Sequence, residues 1–544
     1  MFIALHPARK CFFKKRGAHM TTNPRVQTSH GILAGSIDER TGAQSFKGIP
    51  FAAPPLGALR WREPQPVESW PGIRLATQFG PRPMQLALFG DMNFRSPGMS
   101  EDCLYLNVWA PATPATTPLP VLVYFYGGGN VAGDSSEPRY DGASLAQHGL
   151  VVVTVNYRLS VFGFFAHPEL SRTSGYGASG NYGYLDQAAA LGWVQREIAA
   201  FGGDPSRITI AGESAGSISV SAQLLSPIAN HRIAGAIASS GSLLGALPAM
   251  TLADAEQIGV AIATQAGATT LADLHNLSAS DLLAVTQAYQ PQHFCGTIDG
   301  YFLPKSPWEL YASGAHAQVP LLIGWNSTEV PYQFLLHDHP PTVANYQDAV
   351  QAQFGDQAPH LLQHYAASSD AEVVIAATDL SSDLFIGYST WKWAELHART
   401  NPTYRYLYAH PRPGMRPEFG DAVSGLAGGV IRAEESSTPV PPPPPMAVGA
   451  VHSADIEYFM GNLDTNTVYA WDAADTAVSR QMQQIYVNFV THGDPNGAGI
   501  PTWPPVQAGE TAQLLRIDSQ SQVVPDDHRP RYQLLDTVIG QPAV

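Results

Sequence analysis

This sequence predicts an α/β fold, a large and mostly parallel central sheet flanked by helices, on two observations. From residue 121 onward, short apolar runs rich in β-branched residues alternate with stretches of helical periodicity, which is how strands covered by helices on both faces read. The composition agrees: 44% of 544 residues are hydrophobic and only 14% charged, enough for one large core and too little charge for disorder or a long coiled coil. In chain order, residues 121–125 and 151–155 read as buried strands. Next, Leu185, Ala188, Leu191, Val194, Ile198 and Phe201 recur at steps of three and four, a helix over about 185–201 closed by Gly202 and Gly203. Residues 208–211 and 321–323 read as two more strands. Val478, Met482, Ile485 and Phe489 repeat the helical spacing ahead of Gly493 and an Asp494-Pro495-Asn496-Gly497 turn. No internal repeat is visible, and the chain reads as a single domain over 26–544 behind a disordered basic extension over 1–25.

Charge and cysteine content narrow the function classes. With 45 acids against 30 bases the net charge is −15, and no basic stripe is present to grip a phosphate backbone, so nucleic acid is not an expected partner. Cys11, Cys103 and Cys295 are too few and too scattered for a disulfide framework or a four-thiolate zinc site. No run reaches the eighteen or so apolar residues of a membrane span. Residues 1–20 carry Arg9, Lys10, Lys14, Lys15 and Arg16 with no acid, and their apolar pieces are too broken for a secretory signal; Met20 reads as an alternative start, and a transit peptide is the competing reading. Residues 434–445 end in a proline run that predicts an extended surface loop. That loop ends seven positions before His452 and is expected at the rim of the site.

The chemistry centres on Gly212-Glu213-Ser214-Ala215-Gly216, between the strand at 208–211 and a helical stretch at 217–225. A serine on a sharp strand-to-helix turn needs flanking glycines, because the backbone is strained and its neighbours approach closely. Alone, the G-x-S-x-G pattern arises by chance too readily to mean much; its position between strand and helix makes it a nucleophile candidate. Gly127-Gly128-Gly129 follows the strand at 121–125 and offers unshielded N–H groups for an oxyanion. By itself it would equally read as a flexible loop. Tyr126 stands where such a motif often has histidine.

Several separate segments resemble the type-B carboxylesterases, the family of the para-nitrobenzyl esterases and cholinesterases. Gly48-Ile49-Pro50-Phe51-Ala52-Ala53-Pro54-Pro55-Leu56-Gly57 is similar to the family's N-terminal motif, and Ser100-Glu101-Asp102-Cys103-Leu104-Tyr105-Leu106-Asn107 matches its second signature. Phe201-Gly202-Gly203-Asp204-Pro205 with the serine turn resembles the third, and Gly449-Ala450-Val451-His452 with Asp455-Ile456-Glu457-Tyr458 resembles the histidine segment. The resemblance implies an α/β-hydrolase fold with loop and helical insertions over the site. It also implies a Ser214, Glu329, His452 triad and an oxyanion hole from the N–H groups of Gly128, Gly129 and Ala215, with no cofactor and no metal. Glu329 rests on the resemblance, because eighteen histidines and forty-five acids are not sorted by spacing.

The expected reaction is hydrolysis of small to medium apolar or aryl esters through an acyl-enzyme. Amide, lactone or carbamate cleavage on the same triad is the alternative, and a non-catalytic adhesion role is a more distant one. Three departures from the family bear on partners and compartment. Phe79-Gly80-Pro81-Arg82-Pro83 lacks the cysteine that pairs with Cys103 in secreted relatives, which favours the cytoplasm over secretion. Residues 84–99 contain Phe89 and Phe94 but no tryptophan, which argues against choline esters, and the loop is short and uncrosslinked, which argues against a hinged lid. Asn130 replaces an aromatic residue after the glycines, putting an amide near the oxyanion hole.

Overall fold

The computed structural model describes residues 23–420, 422–432, 448–507 and 512–539. The proline-rich segment 434–445 and most of the expected basic extension lie outside the described residues. Arg25, the last residue of that expected extension, belongs to a strand, Arg25–Thr28, paired with Gly31–Ala34.

Eleven strands make the central sheet: β1 (Ser36–Ile37), β2 (Gln44–Pro50), β3 (Tyr105–Ala110), β4 (Leu119–Phe125), β5 (Val151–Val155), β6 (Gly203–Glu213), β7 (Gly235–Ser239), β8 (Leu321–Asn326), β9 (Thr403–Tyr408), β10 (Gln513–Ile517) and β11 (Gln522–Pro525). Their order across the sheet is β1-β2-β3-β5-β4-β6-β7-β8-β9-β10-β11. All neighbours from β5 to β10 run parallel, and the antiparallel pairs are confined to the two margins.

The continuous apolar runs have a simple cause. Successive strand residues face opposite sides, and here both sides are covered. Val121, Val123 and Phe125 of β4 pack into the core that holds Leu185, Leu191 and Val194 of α1 (Tyr182–Glu197) and Ile218 of α2 (Ala215–Leu225). Leu122 and Tyr124 face the opposite core, with Val478, Met482, Ile485 and Phe489 from the long helix Ala473–His492. Burying one such aliphatic side chain contributes about 1.5–3 kcal/mol, so a strand apolar on both faces is held from two sides.

Two boundaries differ from the sequence expectation. The helix expected to reach Phe201 changes to a tighter turn over Ile198–Phe201, and Gly202 at φ +85° ends it alone, Gly203 already belonging to β6. The strand expected at 208–211 spans Gly203–Glu213, because Gly203 pairs with Leu119 of β4 across an irregularity that holds Asp204 and Ser206, and pairing with β7 continues to Glu213. The C-terminal helix stops at Gly493, φ +70°, as its glycine predicts.

Cys103 and Cys295 are buried free thiols, and no helix among the described residues is long and apolar enough to cross a membrane. The chain steps from β4 to β5 in one direction and resumes on the other side of β4 with β6. A crevice therefore opens beyond the carboxyl ends of β4 and β6, where such sheets bind ligands.

Candidate active site

Both segments that sequence reasoning singled out emerge into that crevice. Ser214 follows β6 at φ +57°, ψ −125°, a conformation that costs a non-glycine residue on the order of 1–3 kcal/mol. Its N–H donates to the Ser239 carbonyl at 2.9 Å, and its own carbonyl accepts from Ile218 in the first turn of α2. The flanking glycines are steric necessities: a Cβ on Gly216 would lie 2.0 Å from the Phe125 carbonyl oxygen, and one on Gly212 2.3 Å from the Gly216 carbonyl. Helix α2 thus abuts the end of β4, and the serine is lifted out of the packing.

Glu329 and His452 arrive from distant parts of the chain. Glu329 lies just past β8 and is fully buried; its Oε1 accepts the Asn326 N–H at 2.7 Å and the Ser240 hydroxyl at 2.6 Å. Its Oε2 is 2.6 Å from His452 Nδ1, and the other ring nitrogen, Nε2, is 2.9 Å from Ser214 Oγ. The backbone locks the same pair, since the His452 N–H donates to the Glu329 carbonyl at 3.0 Å. A carboxylate so placed fixes the ring orientation and tautomer.

The glycine loop packs directly on the serine. A Cβ on Gly127 would sit 2.9 Å from Ser214 Cβ, and Gly128 and Gly129 have φ of +114° and +64°. The Gly128 carbonyl accepts from the Val131 and Ala132 N–H groups in a tight turn, and the N–H groups of Gly128, Gly129 and Ala215 have no acceptor among the described residues. Asn130, also left-handed at φ +60°, is 1% exposed and donates to the Phe294 carbonyl at 3.3 Å. Tyr126 stacks on Tyr157 at 4.5 Å, with each hydroxyl bonded to the other's carbonyl. In the 84–99 loop, Phe94 lies under the Arg82 guanidinium, while Met92 reaches to 3.4 Å of where a Gly128 Cβ would be.

Two features beside the triad escaped the sequence reading. Glu213 occupies the unspecified position before the serine, which was the one available signal. Its side chain is buried, Oε1 has no hydrogen-bond partner, and that oxygen is 3.4 Å from His452 Nε2. Burial pushes its carboxyl up to about 8, against the pull of the His452 charge. Burial disfavours the charged imidazole too, but Glu213 and Glu329 outweigh it and raise His452 above its ordinary value. Phe385 is the second feature. A π-turn, Asp383–Gly387, sets its ring edge-on to His452 at a 5.1 Å centroid distance, with half-exposed Phe334 beyond it at 5.6 Å. Ser382 anchors the turn to the Glu329 loop by bonding the Val330 N–H and carbonyl, both at 3.3 Å. Nothing local in the sequence marks either ring.

The charge balance around His452 gives a testable pH profile. As a general base His452 would act through its neutral ring, and activity is then expected to rise with pH through its pKa. Because the adjacent carboxylates raise that pKa, the acid limb of kcat/KM is expected clearly above the pH 6.5 of a free histidine. Glu213 carries its charge only toward and above about pH 8, so Glu213→Gln should shift the upper part of the limb to lower pH. A titration of kcat/KM from pH 5 to 10 on both proteins checks this, and an unmoved or upward-shifted limb contradicts it.

The profile of the carboxylesterase family matches residues 22–534. Fumonisin B1 esterase from Sphingopyxis macrogoltabida is 34% identical over 511 residues, covering 90% of this chain and 86% of that protein. Human cocaine esterase is 33% identical, covering 93% and 90%. A solved structure of PNB esterase superposes with a TM-score of 0.78 at 30% identity, covering 96% of this chain and all of that one. A family match across nearly the whole length, on relatives and a fold that agree with it, means that the chain belongs to the carboxylesterase family and is a carboxylic-ester hydrolase of the α/β-hydrolase class.

Proposed function

We propose that Ser214 is the nucleophile, His452 the general base and acid, and Glu329 the group that orients the histidine and stabilises its charged form. The observation that carries this reading is the unbroken relay from Ser214 Oγ through His452 to Glu329, with contacts of 2.9 and 2.6 Å. Ser214 Oγ attacks the ester carbonyl as His452 Nε2 takes its proton, and the N–H groups of Gly128, Gly129 and Ala215 hold the oxyanion. The tetrahedral adduct collapses as the imidazolium protonates the departing alcohol. Water, deprotonated by the same histidine, then attacks the acyl-enzyme and releases the carboxylic acid and free Ser214. Glu213, which ionises only toward about pH 8, then sets a second carboxylate near the imidazolium and favours the ion pair formed during attack.

For substrates we propose small to medium apolar and aryl esters, accommodated against Phe385 and Phe334. Relatives are named for their action on cocaine and on pyrethroids. A small molecule rather than nucleic acid is the partner that the net charge of −15 favours. Residues 26–544 are proposed as one domain, working in a reducing compartment where the Cys103 thiol, whose pKa burial raises well above its ordinary value, stays unpaired.

The test is a panel of para-nitrophenyl esters of graded acyl length beside matched anilides. Esters cleaved at least 100-fold faster than anilides support the reading; anilides cleaved as fast assign the site to amides. On that panel Phe334→Ala should lower kcat/KM for a bulky aryl ester about 3- to 10-fold, the size of one aromatic contact, and change an acetyl ester less than twofold. Equal losses on both would remove Phe334 from the substrate wall.

A further inference from the structure

A second polar site is lined by residues that take no part in the site around Ser214. Helix α2 starts at the nucleophile and runs back along the sheet for about 16 Å, and the chain beyond it passes Ile228 and Arg232 before entering β7. There Arg232 meets Arg196, from the last turn of α1, across a groove of about 490 Å³. Its floor is apolar: Leu185, Ala188 and Ala189 of α1, with Ile228 opposite.

The two guanidinium groups converge because α1 has Gly192 beneath them. Arg196 Nη1 lies 3.4 Å, and Arg232 Nε 3.9 Å, from the point a Cβ on Gly192 would occupy. Arg232 donates one terminal N–H to the Ile228 carbonyl, but its Nε is buried with no acceptor. Among the described residues no carboxylate pairs with either arginine, and the nearby acids are engaged elsewhere. Glu197 accepts from the Ser29 N–H and hydroxyl, and Glu63, which also lines the groove, accepts the Tyr301 hydroxyl at 2.7 Å. Burial, then the facing charge of Arg196, lowers the Arg232 pKa. Two cations without a carboxylate partner among the described residues converge beside apolar side chains of α1, an arrangement that an anion with an apolar tail matches.

We propose that this groove binds an amphipathic carboxylate, the chemical class of the acid released by ester hydrolysis, with its head group bridging Arg196 and Arg232 and its tail along α1 over Ala188 and Ala189. The established ester chemistry supplies the source of such an acid; the binding site stands on its own residues. Because the groove is separate from the crevice at Ser214, occupancy does not require an empty active site.

Calorimetry with sodium octanoate on the full chain carrying Ser214→Ala reads binding without turnover. Octanoate is expected to bind, with at least tenfold weaker affinity in the Arg196→Gln/Arg232→Gln protein and in Ala189→Glu, which places a carboxylate on the floor. Acetate, which has the head group alone, and octanol, which has the tail alone, should each bind at least tenfold more weakly than octanoate. In the Ser214-bearing enzyme the arginine pair should be replaceable with no change in kcat/KM for an acetyl ester. Octanoate affinity unchanged by both sets of substitutions would overturn the proposal, and inorganic phosphate binding as tightly as octanoate would overturn the amphipathic assignment. Binding is read in a protein that cannot turn over, so failure here leaves the triad assignment untouched, and failure of the triad leaves this result standing.

Discussion

Ser214→Ala is expected to lower kcat by about 10⁴-fold or more while leaving the fold intact. Nucleophile and base act as a unit, so removing the hydroxyl leaves only the catalysis that binding and oxyanion stabilisation supply. The side chain is small and partly exposed, and the elbow is held by backbone bonds to Ser239 and Ile218 that alanine keeps. Glu329→Gln should cost less, because His452 stays locked by its backbone bond to residue 329 and loses only the carboxylate at Nδ1. Steady-state rates with a para-nitrophenyl ester, beside circular dichroism, decide both. A Ser214→Ala protein keeping more than a hundredth of the activity would place the nucleophile elsewhere.

Gly216→Ala should be nearly as damaging without touching any reacting atom. The added methyl would meet backbone, the Phe125 carbonyl at 2.0 Å, not the yielding end of a side chain. Relief requires α2 to move away from β4, which separates Ser214 and Ala215 from the Gly127–Gly129 loop that follows Phe125. Overpacking of this kind costs about 1–3 kcal/mol or more of stability. The misplacement should cost at least about 100-fold in kcat/KM. Urea unfolding together with kcat/KM measures both, and a variant with near-normal values for each would show that the elbow does not depend on this contact.

The parts of the fold legible in the sequence are those where one physical cause acts locally. Strands β4 and β5 stand out because both faces are buried, so their residues are apolar with the exception of Thr154; β6 is legible only at its apolar centre, because its ends are fixed by neighbouring strands and not by their own composition. Gly493 and Gly202 mark helix ends because a left-handed residue is needed there. The serine elbow was legible for the same reason, its glycines answering to contacts of 2.0 and 2.3 Å. Glu329 and His452 were not legible by chemistry alone: 123 residues separate them, and only resemblance to a family joined them before the fold did. Glu213 lay in plain view but matters through a distance to His452 that no local pattern encodes. Phe385 depends on a π-turn whose hydrogen bonds to the Glu329 loop are tertiary, leaving no periodic trace.

Covalent capture of the nucleophile tests the central claim most directly. The protein is incubated with an aryl phosphonate ester, digested, and the modified peptide sequenced by mass spectrometry. The account predicts one stoichiometric adduct, on Ser214, formed with complete loss of esterase activity and absent from Ser214→Ala. Stoichiometric inactivation with the adduct on any other residue would contradict it.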